Sequence, residues 1–191
     1  MAGIGDSPDS PVRGLPQLTR RNAGMSQQAG LREVMARFAT GITVLTAGGE
    51  HGHGMTANAF SSVSLDPPMV LCCVSRTARM HAAIVTAQSF AVSILAADQR
   101  ELAGYFADWR RPSGMAQFES VAWTPAPRTG APLLEGSLAW LECELSEAYE
   151  AGDHSIFLGV VLASSRASTQ EALVFFDGGY YEFDKFTRAT A

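Results

Sequence analysis

The chain has 191 residues, 47% of them apolar and 17% charged, with 14 basic against 19 acidic side chains and a formal charge of -5. A chain of that length makes about one domain and buries about 70% of its unfolded surface, which argues against a disordered protein. Only Lys185 is a lysine, so no Lys/Arg stripe is available to neutralise a run of phosphates, and nucleic acid is not expected as a partner.

Residues 1–29 carry Gly3, Gly5, Pro8, Pro11, Gly14, Pro16 and Gly24 among polar groups and show no hydrophobic period. This segment is expected to be a disordered tail, with one domain over 30–191. Its first residues, MAGIGDSPDSPVRG, lack the apolar core of a signal peptide, and no run approaches the ~18 apolar residues of a membrane span. Three cysteines, two of them adjacent, suit reduced thiols. The expectation is a cytoplasmic protein with no membrane segment.

Leu31, Val34, Met35 and Phe38 recur at the spacing of one helical face. Short strand-like runs follow at 42–47, 55–65, 69–75 and 89–95, with a hairpin turn at Gly48-Gly49 between the first two. Helices are predicted over 77–88 and 98–107, the second opening on a possible N-cap Asp98 with Glu101 three residues on. Residues 108–132 read as a long loop that Trp109, Phe118 and Trp123 could pin. Three further runs, 137–151, 154–166 and 172–183, are again β. In the first of these, alternation puts Trp140, Glu142 and Glu144 on one face and Leu141, Cys143 and Leu145 on the other. Six or seven strands with three short helices and no βαβαβ alternation predict a mainly antiparallel β-barrel with peripheral helices.

Several chemistries lack their residues. Adjacent Cys72 and Cys73 point to opposite faces of a strand, and His51 and His53 have no visible third ligand, so no metal site is expected. No G-x-S-x-G turn, Walker loop or G-x-G-x-x-G follows a strand. A bound phosphate would therefore need hydroxyls, backbone N–H groups and Arg. The run 54–68 places Thr56, Asn58, Ser61, Ser62 and Ser64 in a strand-like stretch. Either these form the wet face of an antiparallel strand or they are a row of neutral donors for a ring and a phosphate. Ser75, Arg76, Thr77 and Arg79 gather at a helix start, either as an ordinary N-cap with solvated arginines or as an anion site. His154, after a Gly turn and beside Asp153, either caps a strand or serves a site.

Taken in order, FATGITVLTA, GMTANAFSSVSLDPPMVLCCV, FAVSILAADQRELAGYFA, GAPLLEGSLAWLECEL and AGDHSIFLGVV resemble the short-chain flavin reductases, over roughly residues 31–185. These are the NAD(P)H:flavin oxidoreductase components that supply reduced flavin to two-component monooxygenases. The resemblance implies an FMN-binding split β-barrel, a homodimer, FMN or FAD with NADH or NADPH as hydride donor, and a separate monooxygenase partner. It implies that Thr56, Ala57 and Asn58 meet the pyrimidine edge of the isoalloxazine. Ser61, Ser62, Ser75, Arg76 and Thr77 would hold the ribityl phosphate, and His154, in the family's G-D-H motif, would lie near flavin and nicotinamide. The sequence departs from the pattern at Gln117, where a basic residue often precedes the phenylalanine, and at the Cys72-Cys73 pair. Two other functions stay open: a flavoprotein that retains FMN and acts on another substrate, and a non-catalytic flavin-binding module.

Overall fold

The computed structural model describes residues 25–50, 52–167 and 171–182. They belong to two units, Met1–Met35 and Ala36–Ala191. In the first, helix α1 spans Met25–Met35. It starts ahead of Leu31, inside the stretch expected to lack order, because Gln27, Gln28 and Ala29 favour helix without adding an apolar period. Phe38 lies past the helix end. The remainder of the expected tail, residues 1–24, lies outside the described residues.

The second unit runs β1 (Thr40–Gly41), β2 (Thr43–Ala47), β3 (His53–Ala57), β4 (Phe60–Leu65), β5 (Pro68–Ser75), α2 (Arg79–Ala87), β6 (Ser89–Ile94), α3 (Arg100–Ala107), β7 (Trp123–Pro125), β8 (Pro132–Leu134), β9 (Ala139–Ala151), β10 (His154–Arg166), β11 (Leu173–Phe176) and β12 (Gly179–Glu182). Seven strands form one antiparallel sheet in the order β3-β2-β6-β9-β10-β5-β4, while β1, β11 and β12 make a small sheet and β7 pairs with β8.

The expected single strand 55–65 is in fact two, and the break explains the architecture. β3 and β4 are the two edges of the seven-stranded sheet, yet only Asn58 and Ala59 separate them. Those links span at most about 11 Å, whereas the edges of a flat seven-stranded sheet would stand about 29 Å apart at roughly 4.8 Å per strand. The sheet therefore curls until its edges meet, as a barrel split between β3 and β4. At the corner the Phe60 N–H donates to the Asn58 carbonyl (3.0 Å) and the Cys73 N–H to that of Ala59 (2.9 Å). No Gly or Pro marks this corner, so a period-two pattern reads straight through it.

The strand count exceeds the predicted six or seven for similar reasons. The run 172–183 contains a hairpin about Asp177-Gly178, both at positive φ (49° and 78°), the backbone of a two-residue I′ turn. The expected loop 108–132 contains β7 and a 3₁₀ turn, Gly114–Phe118. Nor does Asp98 cap the helix after β6. A 3₁₀ turn, Ala97–Gln99, precedes α3, and the Ala96 N–H donates to Gln99 Oε1 (3.0 Å).

Among the described residues there are three cores, and two of them flank β2. Inside the barrel Leu45, Val70, Cys72, Val74, Phe90, Val92 and Phe157 are closed off by Met80, Ala83 and Ile84 of α2. On the opposite face of β2, Ile42 and Val44 pack with Ala103 and Phe106 of α3, Phe118 and Leu134. β2 is thus buried on both faces along its whole length, and each large side chain so buried contributes about 1.5–3 kcal/mol. The β9–β10 ladder shifts register at Leu158/Gly159 and again at Val161/Ala163. At the first shift a Cβ on Gly159 would lie 2.6 Å from Phe90, so only glycine fits. Glu142 and Cys143, predicted on opposite faces, are both fully buried. Glu142 Oε2 accepts the N–H groups of Arg128 (2.7 Å) and Thr129 (2.9 Å), pinning the turn before β8. Among the described residues no helix is long and apolar enough to cross a membrane.

Candidate functional site

Three elements converge beside the split: edge strand β3, the start of α2, and the segment after α3. Between them lies a cavity of about 420 Å³, walled by Met55, Phe106, Ala107 and Trp109 and edged by Thr56, Thr77, Arg79 and Arg111. A second cavity of about 380 Å³, between α2 and Ser113–Gly114, shares His53 and Arg79 with the first.

The predicted site residues divide. Thr56 edges the first cavity while its hydroxyl donates to the Ala103 carbonyl (2.7 Å), fastening β3 to α3. Ala57 is buried next to it, its carbonyl taken by the Thr43 hydroxyl (2.7 Å). Asn58 is exposed at the β3–β4 corner, with Nδ2 donating to Thr40 Oγ1 (3.3 Å). Ser61 and Ser62 are exposed on β4, and strand alternation sends them to opposite faces; neither lines the two cavities. Thr77 edges the first cavity and lies 3.1 Å from Ser75 through their hydroxyls. Arg76 turns away, to Glu150 on β9 (3.2 Å). His154 pairs with Ser75 across the β10–β5 ladder, so both side chains share a face. Its Nδ1 is 2.8 Å from Asp153 Oδ1.

The Ser75–Arg79 cluster is not an ordinary N-cap. The residue in that position of α2 is Ala78, and no side chain bonds the first turn. Uncapped N–H groups at a helix start favour an anion. Trp109, expected to pin its loop, is 78% exposed at the mouth of the cavity, whereas Phe118 is buried. Phe118 and Trp123 pin the loop by packing with Phe106 and Leu134, while Asp108 accepts the N–H of Arg110 (2.9 Å) and its guanidinium in a local turn. That hydrogen bond from Arg110 keeps the Asp108 carboxyl below the usual range.

Sequence reasoning missed the wall behind the cavity. Gln117 is fully buried. Its Oε1 accepts the Gly54 N–H (3.0 Å) and Arg111 Nε (3.2 Å), and its Nε2 donates to the Gly114 carbonyl (2.6 Å). His53 sits between Gln117 Nε2 and Arg111 Nη2, each 3.1 Å from a ring nitrogen. Two donors face an imidazole that can accept at one nitrogen only, so an added proton is strongly disfavoured. Burial, then the charges of Arg111 and Arg79, push the His53 pKa from 6.5 down to about 4. The signal for this wall was Gln117, a neutral residue at a position the resemblance expects to be basic. Among the described residues no His, Cys, Asp and Glu group is placed to hold a metal, and His51 lies outside them.

Residues 35–184 match the flavin reductase like domain. The chain belongs to this family. An NADH-dependent FAD reductase of Streptomyces globisporus is 47% identical over 153 residues, 80% of this chain and 84% of the relative. An NADH-dependent flavin reductase of a Rhodococcus species is 41% identical, over 69% of this chain and 73% of the relative. The crystal structure of BorF, the flavin reductase component of a bacterial two-component tryptophan halogenase, superposes with a TM-score of 0.80 at 47% identity, covering 83% of this chain and 99% of that one. The split barrel derived above is thus the fold of the flavin reductase family.

Proposed function

We propose that the chain is an NADH-dependent flavin reductase that takes FMN or FAD as substrate, reduces it by hydride transfer and releases it to a separate monooxygenase or halogenase. The observation that carries this reading is the cavity beside β3, with ring-sized apolar walls and a cationic, uncapped helix start at one edge, in a member of this family. The two ring systems supply the redox chemistry, from nicotinamide C4 to flavin N5. The protein's task is to hold them in contact and keep water out. Thr56, Ala57 and Asn58 meet the pyrimidine edge, and His154 stands on the nicotinamide side. For the phosphate, Thr77 and the α2 N–H groups, with Ser75 behind Thr77, are better placed than Ser61, Ser62 or Arg76. Neutral hydroxyls hold a flavin loosely enough to release it after reduction.

We further infer a cytoplasmic homodimer with its functional domain over 30–191. The outward face of β5 and β10 presents half-exposed Leu71, Cys73, Ile156 and Leu158, next to Tyr149 of β9 at 50% exposure. A second copy would cover this apolar strip. The free thiols suit a reducing compartment.

The test is steady-state oxidation of NADH by the purified protein with FMN or FAD added. Turnover that depends on added flavin is expected. No NADH consumption with either flavin rejects the proposal, and full turnover without added flavin would favour a flavoprotein that retains FMN.

A further inference from the structure

The first cavity is edged by two aromatic rings in opposite circumstances. Phe106, on its wall, is fully buried and braced from behind, with Phe118 5.4 Å away between ring centroids and Trp123 5.9 Å beyond that. Trp109, at its mouth, is 78% exposed, and among the described residues none of the ring pairs includes it. An indole left in water forgoes most of the stabilisation that burial would give it. His53 and Arg79 mark the junction with the second cavity, so the polar groups gather there while the mouth is left to Trp109.

The backbone beneath that bare ring is held on both sides. Asp108 Oδ1 accepts the Arg110 N–H (2.9 Å) and its Oδ2 accepts Arg110 Nη2 (2.9 Å). The Asp108 carbonyl accepts the Arg111 N–H (3.3 Å) and Arg111 Nη1 (2.7 Å). Trp109 is therefore the tip of a closed four-residue turn that follows directly on α3. A ring entering the cavity would meet the indole without first having to order a loop, which is how a pre-organised contact gains affinity. The half-exposed strip of β5 and β10 assigned above to a second copy does not include this turn.

The partner that suits an indole is a flat, electron-poor ring laid against its electron-rich face. Oxidised isoalloxazine is such a ring. Hydride from nicotinamide C4 brings N5 a proton and two electrons, and the reduced ring is electron-rich and no longer flat, so its contact with indole weakens. We propose that Trp109 covers the ring of the bound flavin and favours the oxidised form, so that reduction itself loosens the cover and releases the product. The inference rests on the flavin-reductase reading and adds to it a residue that sets which redox state of the flavin is held. A ligand group can shift a balance between two states only by its differential affinity for them, and Trp109 supplies that difference here.

The test compares wild type with Trp109→Leu and Trp109→Phe, using FMN as the probe and no NADH. Because the side chain is 78% exposed, thermal melts of all three are expected to coincide. Oxidised FMN should lose its fluorescence on binding to wild type, through contact with the indole, and keep it when bound to either variant. The Kd for oxidised FMN is expected to rise at least tenfold in Trp109→Leu and to stay within threefold in Trp109→Phe, which still stacks. The Kd for FMN reduced with dithionite under argon, read by equilibrium dialysis, is expected to stay within threefold in Trp109→Leu. Unchanged affinity for oxidised FMN in Trp109→Leu, or equal losses for the two redox forms, overturns the proposal. A change of oligomeric state in Trp109→Leu would assign the indole to a contact between copies and overturn it as well. A wild-type protein that binds neither FMN nor FAD overturns the underlying reading, a result distinct from these.

Discussion

Nδ1 of His53 lies 3.1 Å from Nε2 of Gln117, a contact across 64 residues of sequence that joins edge strand β3 to the 3₁₀ turn Gly114–Phe118. Gln117 serves as acceptor to the Gly54 N–H and to Arg111 and as donor to His53 and the Gly114 carbonyl. The amide's two ends are both needed, and neither charged analogue supplies both. Gln117→Lys, which restores the basic residue the family often has, would place an ammonium beside Arg111 and leave the Gly54 N–H unpaired. Its expected cost is about 3–5 kcal/mol in chemical denaturation. Gln117→Glu keeps the acceptor oxygens and loses the donors, so a smaller loss is expected. A Lys variant as stable as wild type would show that the wall does not depend on this amide.

The same contact makes stability depend on pH. Unfolded, His53 takes up a proton near pH 6.5; folded, it does so only near pH 4. Between those values the unfolded state binds the additional proton, so the His53 contribution is complete above pH 6.5 and is lost as pH falls toward 4. The full loss is about 3 kcal/mol at most. Urea midpoints between pH 7 and pH 4 are expected to fall more steeply in wild type than in His53→Phe. Parallel curves would mean that His53 is not held neutral by the fold.

Much of the fold was legible because alternation and turn residues act locally. The strands at 43–47, 68–75 and 89–94 fall where β-rich runs end at Gly, Pro or a helix, and α2 shows in Met80, Ala83 and Ile84. What was illegible depends on distant partners. The corner at Asn58–Ala59 exists because β3 and β4 pair with opposite edges of the sheet, and the burial of Glu142 follows from the turn at Arg128–Thr129, whose N–H groups its carboxylate accepts. The site was half visible. Thr56 and Thr77 reach the cavity from motifs read in sequence, but Arg76 and Arg79 sit at equivalent-looking positions, and only the fold decides that Arg76 goes to Glu150 while Arg79 faces the junction.

Burial also sets the reactivity of the three thiols. It pushes the Cys72 and Cys143 thiols up to about 12, and raises the half-exposed Cys73 above its ordinary value. Thiolate is the reactive form, so both buried cysteines are inert at neutral pH. Alkylation of the native protein at pH 8 is expected to modify at most Cys73, and all three after denaturation. Rapid modification of Cys143 in the native state would contradict the packing of β9 on Phe90.

His154 offers the sharpest separation of roles. Its ring is 45% exposed and is held through Nδ1 by Asp153, whose carboxyl is kept below its ordinary range by that hydrogen bond. The other ring nitrogen is therefore oriented away from Asp153 on the face shared with Ser75. If this nitrogen positions nicotinamide, His154→Ala should lower kcat/KM for NADH by roughly tenfold, about 1.4 kcal/mol, while the Kd for flavin changes by less than twofold. Asp153→Asn should act in the same direction and more weakly, because it loosens the ring without removing it. Equal losses in flavin affinity and nicotinamide rate would show instead that His154 supports the packing of the β9–β10 turn, and that hydride transfer is positioned by other groups.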